Sequence, residues 1–246
     1  MNTTRAALPP TGLGIMLVLI VCSTAPAEII RTVSPAAAEN IEGNTSRTPR
    51  LVSHRLQWLF PASDFADLPE THRLITAFNL RADRTQTQPG ALHFGDERIW
   101  MSTTSLNSLT NVFDNNQGSD KTLVHDGPMS FPLLPSGPGP GPAQFADGLP
   151  LQTPFYYDPS QGNLLIERVV FANSASGSVA SVDLQSTSEV RNVVVDNPNG
   201  TAGGLSNAAP VVQFQFVPDP ATFALACCGL ICLVAWRRYR GQYFTR

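Results

Sequence analysis

The central part of this 246-residue chain contains no cysteine. The four cysteines lie near the two ends, at Cys22, Cys227, Cys228 and Cys232. The stretch from Glu28 to Val217, about 190 residues, therefore has no disulfide, no thiolate metal site and no cysteine nucleophile. A domain of that length has to rely on a hydrophobic core, which about 190 residues can supply.

Basic residues are also scarce, and Lys121 is the only lysine. Between Glu28 and Val217, 11 Lys and Arg stand against 18 Asp and Glu, a net charge of −7. The whole chain has a net charge of only −3, because five arginines lie in the terminal segments. An acidic body without a basic patch argues against nucleic acid as a partner.

Long apolar runs occur only at the two ends of the chain. Near the N-terminus, Arg5 precedes the apolar stretch from Leu13 to Cys22, and Ala25 and Ala27 form a small-x-small pattern. This order predicts a signal peptide over residues 1–27, cut by signal peptidase after Ala27. Ten residues at about 1.5 Å each do not span a hydrocarbon core of roughly 30 Å. A permanent N-terminal anchor is the less favoured alternative.

The second apolar run covers 16 residues, from Ala221 to Trp236, and is followed by Arg237, Arg238 and Arg240. It predicts a single transmembrane helix over 221–236, with a basic end over 237–246 that stays in the cytoplasm. At about 1.5 Å per residue the helix is roughly 24 Å long, a few ångströms short of a comfortable span. Such a segment suits a temporary membrane stop.

A short motif precedes this helix, and it consists of Val217, Pro218, Asp219, Pro220, Ala221 and Thr222. Motif, helix and basic end together resemble the PEP-CTERM sorting signals of bacteria with exopolysaccharide envelopes. The resemblance implies processing by an exosortase, a membrane cysteine protease, and transfer of the body to the cell surface or extracellular matrix. Asp219 stands where the family usually has Glu, which keeps the charge and shortens the side chain by one methylene. An uncut tail that anchors the protein in the inner membrane is the alternative.

Alternating apolar and polar residues indicate β-strands in the body. Val212, Phe214 and Phe216 alternate with polar or smaller residues, and the same period of two occurs over 180–184. Further strands are predicted over 73–81, 98–105, 121–125, 163–171 and 190–195. With 18 Gly and 21 Pro, and no long amphipathic helix, the chain predicts an all-β, jelly-roll-like sandwich over 51–216. The polar segment 28–50 predicts a flexible leader, and the Pro-Gly segment 135–142 a crossing loop rather than a domain boundary.

One stretch of the body carries a second resemblance. Residues 151–167 are similar to a TPF-x-YDP-x-x-GNLLL segment in uncharacterised PEP-CTERM proteins of planctomycetes and related bacteria. The similarity extends roughly over 100–217. It implies a strand of the sandwich and no particular activity.

Few patterns in the body point to chemistry. Oxygen-bearing side chains at Asp114, Asn116 and Asp120 suggest a calcium loop, but no glutamate closes it and a hairpin turn is the simpler interpretation. The four histidines are widely spaced, so no other metal site and no cofactor is predicted.

Two further hypotheses concern sugars. The body has four candidate carboxylates for a glycosidase pair, namely Glu97, Glu167, Asp183 and Glu189. Two of them could act together on a sugar bond, although solvated positions on strands explain them equally well. The aromatic run 155–157 could form a sugar-binding platform, although core packing of at least two of its rings is the favoured interpretation.

The sequence therefore predicts an exported, non-enzymatic all-β protein with a structural or adhesive role at the cell envelope. Its expected partners are signal peptidase, an exosortase-type protease, the lipid bilayer and extracellular polysaccharide. A carbohydrate-binding or glycan-active protein on the same sandwich is the alternative.

Overall fold

A computed structural model of the chain describes residues 28–47, 50, 52–85, 87, 89–135, 140–171, 176–177 and 181–219. The predicted signal peptide, the predicted transmembrane helix with its basic end, and the sorting motif from Pro220 onward lie outside these residues. Within these ranges no helix has the length and apolar character needed to cross a bilayer.

The described chain is all-β, as the alternation predicted, and every strand pairing is antiparallel. The strands are β1 (Ile30–Ser34), β2 (Thr45–Arg47), β3 (His54–Phe60), β4 (Leu74–Leu80), β5 (Gly90–Thr104), β6 (Thr122–Leu133), β7 (Leu149–Tyr156), β8 (Asn163–Val170), β9 (Ser176–Gly177), β10 (Val182–Ser186), β11 (Asn192–Val195), β12 (Gly204–Ser206), β13 (Ala208–Pro210) and β14 (Val212–Val217). Short 3₁₀ helices cover Ala36–Ala38, Ala62–Phe65, Phe113–Asn116 and Pro159–Gln161.

The strands form three sheets. The large sheet has the order β12-β11-β3-β8-β5-β6, with β9 paired to β5, and the small sheet has the order β1-β14-β4-β7. A bridging sheet has the order β13-β10-β2. Rings from the large and small sheets meet edge-on in one core, with 5.2 Å between the centroids of Phe60 and Phe214. The arrangement is sandwich-like, because the two larger sheets bury their facing sides against each other.

The small sheet is joined to the large sheet on one side and to the bridging sheet on the other. On one side the Gln152 side chain of β7 donates to the Asp126 carbonyl of β6 and accepts from its N–H, both at 2.9 Å. The Pro-Gly segment 135–142 lies between β6 and β7, strands of different sheets, although its residues 136–139 are outside the described ranges. On the other side, Ala82 just after β4 forms a bridge with Val182 of β10.

The segment predicted as a flexible leader, 28–50, instead contributes strands to two sheets. β1 pairs with β14 over five residues, from Ile30 opposite Phe216 to Ser34 opposite Val212, and β2 pairs with β10. The leader prediction is therefore wrong for its described residues, and the folded body begins before residue 51. β1 is an edge strand held by these backbone hydrogen bonds and by the packing of Ile30 and Val33, and its two apolar residues are too far apart to show a period of two.

Candidate functional site

The sorting motif begins where the last strand ends. Val217 closes β14 opposite Leu74, Pro218 is buried, and the Asp219 N–H donates to the Thr71 carbonyl at 3.0 Å. The rest of the motif, from Pro220 to Thr222, lies outside the described residues, as do Ala25, Ala27 and the three arginines after the predicted helix.

The three calcium candidates each accept a hydrogen bond from a different part of the chain. A side-chain oxygen of Asp114 accepts from an arginine of β3 at 3.0 Å, and the Asn116 Oδ1 accepts from the Thr110 N–H at 2.9 Å. The Asp120 Oδ1 accepts from the Thr103 N–H at 2.8 Å. In the described part of the chain, no group of three or more His, Cys, Asp or Glu is placed to hold a metal ion.

The four carboxylates considered for glycoside cleavage are each bound to different basic residues. The pairs are Glu97 with Arg168, Glu167 with Arg55 and Lys121, Asp183 with Arg81, and Glu189 with Arg191. On the large sheet, Glu97 opposes Val170 and Glu167 opposes Trp100. Because side chains alternate along a strand, these two carboxylates point to opposite faces of the sheet. They cannot act together on one sugar bond.

Glu167 is the centre of a network on the outer face of the large sheet. Its carboxylate accepts hydrogen bonds from Gln57 at 2.5 Å, Gln117 at 2.8 Å, Lys121 at 3.0 Å and Arg55 at 3.1 Å. The residue is 3% exposed, so four donors offset the cost of burying its charge. Two of these donors, Gln117 and Lys121, come from the loop that follows β5. The network therefore holds that loop against the outer face of the sheet.

A cleft lies between the inner face of the large sheet and the bridging sheet, with a volume of about 70 Å³. We call it the inner cleft, and its described lining comprises Arg47, Arg50, His54, Leu56, Trp58, Leu80, Leu92, Phe94, Arg168, Val182, Leu184, Asn192, Val194 and Pro210. The strand register explains how it forms, because Leu56 opposes Arg168 on β8 and Val194 on β11. One face of three neighbouring strands thus supplies its wall.

Arg168 is the most unusual residue of the inner cleft. It is buried in a core otherwise rich in aromatic rings, and its Nε donates to the Glu97 carboxylate. Its guanidinium carbon lies 5.0 Å from the centroid of Trp58, 4.9 Å from that of Phe94 and 4.8 Å from that of Phe131. Cation–π contacts and one ion pair therefore stabilise this buried charge.

His54 lies in the same cleft and is buried as well. Burial lowers the pKa of His54 to about 4, and the positive charge of Arg168 acts in the same direction. Its Nδ1 lies 2.7 Å from the Val52 carbonyl, which can only accept, so the proton of the neutral ring is on Nδ1. The ring is therefore neutral at pH 7.

A second depression surrounds Tyr156. Phe155 and Tyr157 are buried, as expected for two of the three rings, whereas Tyr156 is 53% exposed. The depression has a volume of about 330 Å³ and is lined by Thr103, Ser119, Asp120, Tyr156, Asp158 and Gln161. Hydrogen bonds from the Ser160 backbone and hydroxyl lower the pKa of Asp158, so that carboxylate is ionised at neutral pH.

Comparison of the chain with protein-family models, with curated proteins and with solved structures finds no match. Function therefore has to be inferred from residues and geometry. Sequence reasoning did not single out Arg168 or the inner cleft. The available signal was an arginine inside an apolar strand, between Ile166 and Val170.

Proposed function

We propose that this protein is exported, sorted through its C-terminal signal, and placed at the cell surface or in the extracellular matrix. There its jelly-roll-like sandwich has a structural or adhesive, non-enzymatic role associated with exopolysaccharide. The observation that carries the proposal is the order of three features at the C-terminus: first the motif, then the apolar run, then the arginines. The motif begins at Val217, which is also the last residue of β14. Signal peptidase, an exosortase-type protease and the bilayer are the partners that this route requires.

The position of β14 supports removal of the tail. All of its pairing with β1 and β4 ends by Val217, so a cut in or after the following motif leaves the sheet complete. The body also has a net charge of −7, which favours solubility outside the cell.

The pairing of carboxylates supports a binding or structural role over glycoside cleavage. A general acid and a second carboxylate must flank one bond at about 5 to 10 Å from each other. Glu97 and Glu167 are on opposite faces of the large sheet, and Asp183 is enclosed with Arg81. We infer that none of them acts on a glycosidic bond.

Carbohydrate binding is the second candidate function, and the exposed ring of Tyr156 favours it. Apolar faces of sugars stack on exposed aromatic rings, while carboxylates and amides bind the hydroxyl groups. The ring has Asp120, Asp158 and Gln161 beside it in one open depression. This would give the adhesive role a defined contact with polysaccharide.

The sorting proposal is tested by replacing Pro218, Asp219 and Pro220 with alanine in a host that has an exosortase. Wild type and variant are fractionated, and the intact mass of each form is measured. We expect the wild type to leave the inner membrane without its residues beyond about Val217, and the variant to stay there with its tail. Asp219→Glu, which restores the usual family residue, should be processed like the wild type.

Equal compartments and equal C-termini for wild type and alanine variant would overturn the sorting proposal. A wild type that keeps its tail in the inner membrane would support the anchored alternative. Carbohydrate binding is tested separately on a glycan array with Tyr156→Ala, using Leu205→Ala as the control, because Leu205 is another exposed apolar side chain. Equal glycan signals from both variants would exclude Tyr156 as the contact.

A further inference from the structure

The charged side chains that line the inner cleft all have one sign. Among its described lining residues, Arg47, Arg50 and Arg168 are cationic and none is acidic. This contrasts with the body as a whole, in which acidic residues outnumber basic ones and the net charge is −7. Most of the remaining wall is apolar, so the cleft combines a hydrophobic interior with positive charge.

The three arginines differ in how far other residues neutralise them. Arg168 has Glu97 beside it, and Arg50 is paired with Asp196, whose side chain is 55% exposed. Arg47 forms no ion pair with any described residue, and it is exposed at the edge of the cleft. The cleft therefore keeps an excess of positive charge at its mouth.

Two lining residues also carry buried polar atoms without a partner in the described structure. These are the Nη2 of Arg168 and the Oδ1 of Asn192. Native proteins satisfy nearly all buried polar atoms, and each exception requires an explanation. Buried polar atoms without a partner also occur elsewhere in the described structure, for example on Arg55, Asp183 and Arg191, so the charge and the apolar wall of the cleft, rather than these two atoms, distinguish it.

We propose that the inner cleft binds a small organic monoanion, a carboxylate with a short aliphatic tail. The tail would pack beside Trp58 and Val194, and the carboxylate would lie between Arg47 and Arg50 at the mouth. A volume of about 70 Å³ is several times what one water needs, roughly 10–15 Å³, and it suits a tail of only a few carbons. The proposal does not depend on how the protein is sorted.

The chemistry of the cleft distinguishes this ligand from related molecules. An alkylammonium of the same length would meet unneutralised arginine charge, and an alcohol would gain only the burial of its tail. An inorganic anion without a tail would gain only the electrostatic attraction of the arginines at the mouth, and salt screens that attraction. Butyrate, butan-1-ol, butylammonium and inorganic phosphate therefore form a matched set of probes.

Fluorine NMR of the full chain, labelled with fluorotryptophan and held in lipid nanodiscs, can follow binding. Trp58 lines the cleft, whereas Trp100 lies on the outer face beneath Lys121, at 4.9 Å from its ammonium, and is an internal control. At low ionic strength we expect butyrate to shift the Trp58 signal with about fivefold higher affinity than butanol, as two partly exposed cations would give. The Trp100 signal should not move.

The double variant Arg47→Gln and Arg50→Gln should remove the preference of butyrate over butanol. Arg98→Gln is the matched control, because Arg98 is 44% exposed and contacts Asp126 at the rim of the outer face. Butyrate that leaves Trp58 unchanged, equal affinities of all the butyl compounds, or phosphate binding as strong as butyrate would each overturn the proposal. Loss of the butyrate preference in Arg98→Gln would also overturn the proposal, because the preference would then depend on the net charge of the protein and not on the arginines of the cleft.

Discussion

Replacing Asp183 by asparagine removes the negative half of the most deeply buried ion pair in the described chain. The side chains of Asp183 and Arg81 are both 0% exposed, and the Oδ2 of Asp183 accepts from Nη2 at 2.5 Å and from Nε at 2.9 Å. Arg81 also donates to the carbonyls of Glu39 at 3.3 Å and Ile41 at 2.7 Å. The pair thus fastens the segment between β1 and β2 to the start of β10.

The expected loss of stability follows from the charge that is left behind. The substituted amide would keep the shape of the carboxylate and one acceptor, but the guanidinium of Arg81 would remain buried without a counter-charge. Breaking a buried pair in this way costs about 3–5 kcal/mol, and we expect the lower end because the amide oxygen still accepts. For a domain of this size about 3 kcal/mol corresponds to a fall in Tm of roughly 6–12 °C.

Thermal unfolding of the full chain measures this loss, and Asp126→Asn is the control. Asp126 pairs with Arg98 through side chains that are 48% and 44% exposed, so its replacement should cost about 0–1 kcal/mol. In Asp183→Asn, hydrogen exchange should also increase over residues 39–43. Equal Tm values for the two variants would refute the inference that the Arg81–Asp183 pair holds the segment between β1 and β2 in place.

Three other substitutions test separate parts of the fold. As pH falls from 6.5 to about 4, the wild type should lose about 3 kcal/mol of stability, because His54 is protonated more readily in the unfolded chain than in the folded one. In pH-dependent urea unfolding, His54→Asn should not show this loss, whereas the control His93→Asn should. Gly43→Ala should cost about 1–3 kcal/mol in urea unfolding, since its Cβ would overlap a carbonyl of β10, whereas Gly141→Ala meets no atom within 4 Å and should be neutral. Phe214→Ala should cost about 3–5 kcal/mol by the same measurement, and a value near 1 kcal/mol would contradict a fully packed core.

Strands with one face toward the core were predictable from the sequence. β14 is the clearest case, because Phe214 and Phe216 pack in the core while Gln213 is only half-buried. β4, β8, β10 and β11 also coincide with predicted strands, and β5 and β6 are longer than predicted. Alternation identifies such strands because neighbouring side chains face different environments.

β3 was not predicted, although it lies in the middle of the large sheet. The core covers its inner face and the Glu167 network covers its outer face, so residues from His54 to Phe60 are buried with the exception of the half-buried Arg55. Burial on both faces removes the alternation. Gln57 is polar inside this strand, and its partners Asn116 and Glu167 are more than 50 residues away in sequence. Local sequence cannot show that such a group will be satisfied.

Two charged groups of the large sheet, Glu167 and Arg168, illustrate how a structural network differs from a binding site. Glu167 on the outer face has four donors, so a ligand has nothing to add there, and its substitution should lower stability without changing binding. Arg168 on the inner face has one carboxylate, three rings and an unpaired Nη2 beside an open cleft. The mouth of that cleft, where Arg47 forms no ion pair with a described residue, can still attract an anion. The rim arginines, which are not needed to satisfy the core, should therefore affect ligand affinity with little effect on the free energy of unfolding.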